Sequence, residues 1–328
     1  MTLAAIRHEG ITHVYVVGGP LAVSTAVVDQ LQSTPVYHCG GRNLQTTATG
    51  SPMEVQVTRI YGATQYATAQ QIAQYVPTAH VNSLNLAGAY AGTNATKGTG
   101  MYNQTAGAAS TTPKVTGAQR TAILATGTTF QDAEAASVTS YSESPPILLT
   151  APTALSSPAK TAIQTLNISQ VVVMGGPLAL SDTVVKALQA MTVSVLRVAG
   201  KTYSETSVQL ADLEANTTTG HLGLGWRSTT HLVMVARGTG FSDGIAGAVL
   251  EHFYNRLNGF ATLVGQWLLL LTQSPTQVGA PLTAFLKSAG STGVDGTATN
   301  TVTLIGILGG PLAVSPTVAA QMNADIGL

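Results

Sequence analysis

"VVGGPLAVSTAVV" occupies residues 16–28, and close copies return as "VMGGPLALSDTVV" at 173–185 and "ILGGPLAVSPTVA" at 307–319. Each reads as a strand of mostly aliphatic residues ending in a Gly pair, with a helix start behind it. One copy alone would suggest the phosphate turn of a nucleotide-binding enzyme. The Gly-x-Gly-x-x-Gly spacing is missing, however, and no Gly-Lys-Ser/Thr occurs. Three copies with the same neighbours point to architecture. Gly18, Gly19, Gly175, Gly176, Gly309 and Gly310 are expected to form tight structural turns with close helix packing. Ser24, Ser181 and Ser315 are the natural N-caps of the helices that follow.

The phrase is the last of four blocks that recur in fixed order. Block one is "RIYGATQYATAQQIA" from Arg59 and "RVAGKTYSETSVQLA" from Arg197, with Arg to Gly three residues and Gly to Thr six residues in both. Block two is "AILATGTTFQDAEAA" from Ala122 and "LVMVARGTGFSDGIAG" from Leu232. Block three is "PPILLTAPTALSSPAKTAI" from Pro145 and "WLLLLTQSPTQVGAPLTAFL" from Trp267. The period is about 135 residues. The chain thus reads as a partial repeat at 1–58 and two complete repeats at 59–196 and 197–328. The first complete repeat carries a surface insertion at 77–120 and the second an insertion at 251–266.

Within a repeat, short apolar runs such as "TAILAT", "ILLT" and "QVVVM" alternate with helical stretches such as "SPAKTAIQTL" and "SDTVVKALQAM". Runs apolar on both faces, alternating with helices, predict an α/β fold: tandem repeats, each a parallel sheet with helices on both faces.

Composition narrows the function. Only 9% of residues are charged, against roughly 25% in ordinary soluble domains. With 14 basic and 14 acidic residues and no basic run, nucleic-acid binding lacks electrostatic support. The most apolar window, 261–271, is about half the ~20 residues of a membrane span. Cys39 is the only cysteine, which excludes an internal disulfide and a Cys-based zinc site; it is expected to be a small buried hydrophobe. No His pair has metal-ligand spacing, and neither metal nor cofactor is expected. Asn94, Asn103, Asn167 and Asn216 lie in Asn-x-Ser/Thr sequons.

The sharpest enzymatic motif is Gly240-Phe241-Ser242-Asp243-Gly244, a match to the Gly-x-Ser-x-Gly nucleophile elbow between strand and helix. The equivalent stretch of the first repeat, Thr129-Phe130-Gln131-Asp132-Ala133, has no Ser. A hydrolase of this order also needs an acid between its Ser and a downstream His, and outside the motif itself only Glu251 lies between Ser242 and His252, the last His. A serine hydrolase using Ser242 is therefore the minor alternative to a non-enzymatic protein. Asp132 and Asp243 each follow Phe-x at a strand-to-helix junction, where a carboxylate caps or favours the helix N-terminus; ligand contact is the second reading. Arg59 and Arg197 either bridge to the Asp of their own repeat or face an anionic partner.

Together these blocks resemble the cell-wall-binding repeat 2 family of exported Gram-positive and archaeal proteins. The match is carried by Arg59, Gly62, Tyr66, Thr68, Ala69, Gly127, Phe130, Asp132, Ala133, Pro146 to Thr150, Gly175, Gly176 and Ser181. In the second repeat it is carried by Arg197, Gly200, Thr206, Gly238, Phe241, Asp243, Gly309, Gly310 and Ser315. The resemblance implies Rossmann-like repeats without enzymatic activity that hold proteins to anionic wall polymers at the cell surface. It marks Arg59, Thr68, Asp132, Arg197, Thr206 and Asp243 as candidate polymer- or partner-binding residues. The family's central Asp-Arg is replaced here by Thr64-Gln65 and Thr202-Tyr203. That loss of charge leads to an expected self-assembling extracellular subunit, a surface layer or filament, whose partners are copies of itself. A wall anchor without self-assembly is the alternative. Residues 1–28, lacking blocks one to three before them, are expected to need their sheet completed by an N-terminal region of the same gene, by the chain's own two lobes or by a neighbouring copy, and the low charge favours the neighbour.

Overall fold

The computed structural model describes residues 2–75, 83–84, 86, 100–103, 117–215, 224, 232–248, 268–294 and 301–328. It divides into two units, Met1–Tyr75 and Val76–Leu328. Both are mixed α/β with parallel strand pairing.

The first unit holds α1 (Thr2–His8), β1 (His13–Val17), α2 (Thr25–Gln32), β2 (Gln56–Ile60) and α3 (Gln65–Tyr75). β1 and β2 pair in parallel, with Val16 opposite Arg59. Between α2 and β2 the chain makes an excursion held by isolated antiparallel bridges, Tyr37 to Leu44 and Thr46 to Pro52. Val36 and Val55 from this excursion join Ile6, Val16 and Leu31 in a small core. Cys39 departs from expectation. It sits between the bridge partners Tyr37 and Leu44, and its thiol is free and exposed.

In the second unit β5 (Gln119–Thr126), β6 (Ile147–Thr150), β7 (Gln170–Met174) and β8 (Ser194–Ala199) form one parallel series. Every residue of β7 is buried, as expected of a strand that is apolar throughout and lies inside a sheet. The helices of this part are α4 (Gln131–Ala135), α5 (Ser137–Glu143), α6 (Ser157–Thr165), α7 (Asp182–Ala190) and α8 (Tyr203–Ala215). A second sheet runs β10 (Leu268–Thr272), β9 (Leu232–Arg237), β11 (Leu304–Ile307), again parallel. Its helices are α9 (Ser242–Ala248), α10 (Ala280–Thr292) and α11 (Pro316–Asp325). One core joins the two sheets: Ile123, Val172 and Leu196 of the first share it with Val233 and Leu270 of the second.

Two features differ from a simple reading of the repeat. The surface excursion expected over 77–120 contributes β3 (Ser83–Leu84) and β4 (Gly100–Asn103), which pair antiparallel with β5 and β8. Leu84 of β3 and Leu86 are buried, and β4 covers the edge of β8. The repeat joints also fall inside strands. The 58/59 joint lies in β2 and the 196/197 joint in β8, and each of these block-one strands pairs with the Gly-Gly-Pro strand before it. The folded sheet is therefore out of phase with the sequence repeat.

Candidate functional site

The Gly-Gly-Pro turns are where the singled-out residues converge. Gly18, Gly175 and Gly309 have φ of 113°, 88° and 99°, a left-handed region that glycine enters without penalty. In the second and third turns a second constraint acts. A Cβ on Gly175 would stand 2.4 Å from Asp132 Oδ2, and one on Gly309 would stand 2.6 Å from Asp243 Oδ2. Each Asp thus lies against the turn of its own repeat.

From the other side comes the arginine of the following repeat. Arg197 Nη1 donates to the Gly175 carbonyl at 2.7 Å. Arg59 Nη1 donates to the carbonyls of Gly18 (2.9 Å) and Val23 (2.8 Å). The turn answers with its own N–H: Gly18 donates to Ile60 and Gly175 to Val198. Arg197 is fully buried, with Asp182 Oδ1 at 3.9 Å from Nη2. Arg59 and Arg197 each hold the Gly-Gly-Pro turn before them, and the Arg197 charge is enclosed by protein.

The six-residue Gly-to-Thr spacing of block one also has a structural cause. Gly62 N–H donates to Thr68 Oγ1 and Gly200 N–H to Thr206 Oγ1, both at 3.0 Å. One turn earlier, Thr64 Oγ1 accepts from Ala67 N–H and Thr202 Oγ1 from Glu205 N–H. These threonines, standing where the resembled family has Asp, cap α3 and α8. In the sequence these positions show only as lost charge, although a hydroxyl replacing a carboxylate ahead of a helix is itself a capping signal. Tyr203, in place of the family's Arg, donates from its hydroxyl to the Gln273 carbonyl.

The N-cap expectations divide. Ser24 and Ser315 accept from Val27 and Val318 N–H. Ser181 has the same extended backbone, but its buried hydroxyl makes no hydrogen bond among the described residues. Asp132 is not a cap: Phe130 holds that position without a side-chain bond. Asp132 lies in the first turn with its carboxylate against Gly175, where burial pushes its pKa up to about 6.

The two block-two segments of the second unit meet each other. Phe130 and Phe241 rings contact edge to face at 5.6 Å. Beside them Glu134 packs on the first turn of α9, where a Cβ on Gly244 would stand 2.1 Å from its Oε1. Burial raises the Glu134 pKa to about 7; the Asp243 charge adds to this, while the Gly244 N–H and Arg237 oppose it. Arg237 Nε lies 3.7 Å from Asp243 Oδ2 and fills the space over Gly240. Both glycines of the hydrolase-like motif are accounted for by Arg237 and Glu134 packing against them. Ser242 itself is exposed at the start of α9 and is not among the residues with strained positive φ. His80, His221, His231 and His252 lie outside the described residues, as do Asn94 and Asn216. Asn167 is exposed with φ 52°, which suits Asn just past the end of α6.

Residues 59–185 match the family of cell wall binding domain 2 (CWB2). The CWB2 segment begins at the arginine that holds the Gly18 turn and ends within α7. In fold the chain is similar to Cwp8 from Clostridium difficile, with a TM-score of 0.58 at 14% identity over 98% of this chain and 39% of that one. Cwp6 from the same organism aligns at a TM-score of 0.49 and 16% identity, over 81% of this chain and 31% of that one. The chain therefore spans well under half the length of both. No curated protein matches it. Among the described residues no helix is long and apolar enough to cross a membrane.

Proposed function

We propose that this chain is an extracellular, cell-wall-associated structural protein built of tandem Rossmann-like repeats, and that it is not an enzyme. The observation that carries this reading is the CWB2 match over 59–185, supported by the use of its motif residues to hold turns and helix starts. Antibody labelling of intact cells tests it: surface signal is expected, and signal only after lysis contradicts it.

The finer reading is self-assembly into a layer or filament. It is supported by the low charge and by where apolar surface is left open. More than half of the exposed large apolar side chains among the described residues lie in 1–75, including Tyr15, Val17, Leu21 and Tyr61. Exposed apolar side chains concentrated in this unit favour a protein partner, and a second copy supplies one. A wall anchor that binds anionic polymer as a monomer is the alternative. Because Arg59 and Arg197 are committed to their turns, that anchor would grip through other groups, among them the abundant hydroxyls and amides. Light scattering separates the two: concentration-dependent assembly supports the lattice, and a stable monomer at high concentration supports the anchor. A serine hydrolase would be revived by fluorophosphonate labelling of Ser242.

A further inference from the structure

Three Gly-Gly-Pro strands are present, and two of them have a block-one strand beside them. β1 takes β2 and β7 takes β8, in the same register: Val16 faces Arg59 and Val173 faces Arg197. In both, the first glycine's N–H donates to the residue after the arginine, and its carbonyl accepts from the guanidinium. The third strand, β11, pairs with β9 on one edge. Among the described residues nothing pairs with its other edge.

The third turn has the shape of the filled ones, but among the described residues it has no such partner. Gly309 adopts the same left-handed φ as Gly18 and Gly175 and is held by the same Asp contact. Leu308 N–H donates to Val235 on β9, so strand alternation aims the N–H groups of Ile307 and Gly309 at the open edge. Gly309 makes no hydrogen bond among the described residues. It is exposed, whereas Gly18 is half-buried and Gly175 buried. At the second glycine the contrast repeats: a Cβ on Gly19 would meet the Tyr61 ring at 3.1 Å, while one on Gly310 would meet nothing within 4 Å.

We infer that the open edge of β11 and the Gly309–Gly310 turn form a docking site for a parallel polypeptide strand of the Arg-(Ile/Val)-x-Gly type. Its arginine would lie opposite Ile307, donating to the Gly309 carbonyl, and the next residue's carbonyl would accept the Gly309 N–H. The occupant is a segment other than β2 or β8, since both are already paired. Main-chain bonds supply the affinity of such strand addition, and the arginine supplies selectivity. The docking edge is defined by backbone geometry that is unfilled among the described residues, independently of the wall-associated reading.

The probe is a labelled peptide with the sequence of residues 56–63, QVTRIYGA, titrated into the full chain. Hydrogen exchange should show new protection at the Ile305, Ile307 and Gly309 amides. The peptide carrying Arg59→Ala should bind about tenfold more weakly. Gly310→Leu, which enters open space and should leave folding intact, should weaken binding comparably by obstructing the peptide's tyrosine. Absence of protection up to the peptide's solubility limit would overturn the inference. So would equal binding of the alanine peptide, an unaffected Gly310→Leu chain, or dimerisation through this edge that the peptide does not displace.

Discussion

Arg197 and Gly175 lie 22 residues apart and are joined by a 2.7 Å hydrogen bond from a fully buried guanidinium to a left-handed turn. The bond reaches from the block-one strand of one repeat to the block-four turn of the repeat before it. It makes the joint between repeats a sheet contact. Arg197→Ala should therefore cost about 3 kcal/mol or more in urea unfolding of the full chain, as a buried carbonyl loses its charged donor. Arg59→Ala, whose guanidinium is only partly buried, should cost less, about 1–2 kcal/mol.

The turns give a paired prediction. Gly175→Ala forces a Cβ into Asp132 Oδ2 at an unfavourable φ, and should destabilise the chain by about 2 kcal/mol or more. Gly310→Ala meets open space and should fall within about 0.5 kcal/mol of the parent. Thermal melts of the two variants check the contrast.

Secondary structure was legible because its signals are local. β5, β6, β7 and α6 to α7 follow from apolar runs and Ser caps, and β10 from "LLLLT". The phase of the sheet was not legible. Sequence order places Arg197 at the start of a repeat, whereas its strand completes the sheet of the previous one through pairing that has no local signature. Cys39 failed for a related reason: burial of a loop residue is decided by long-range packing. The Thr68 and Thr206 spacing was visible, but its cause, a hydroxyl meeting a glycine N–H, needed coordinates.

Thr206→Val keeps the shape of a buried side chain but removes the acceptor of the Gly200 N–H. It should cost about 1–2 kcal/mol, and Thr206→Ser should recover much of that loss. Chemical denaturation of both variants distinguishes a lost bond from lost packing.

Stability should rise as pH falls from about 8 towards 5. Asp132 and Asp212, at about 6, and Glu134, at about 7, all titrate above their ordinary values because burial disfavours the charged form. The folded chain then holds protons that the unfolded chain has released. Their contribution is complete below the ordinary carboxylate values and is lost as pH rises through 6 to 7. Glu134→Gln should flatten the upper part of this profile in melts recorded across the range. A Tm that falls from pH 8 to pH 5 would contradict the assignment.

The central claim is association with the cell wall, and co-sedimentation of the purified chain with isolated Gram-positive walls tests it most directly. The chain should pellet with the walls in saturable amounts, and less of it should pellet once anionic secondary polymers are stripped. A chain that stays in the supernatant with native walls, under conditions where its melting curve shows it folded, would contradict the account.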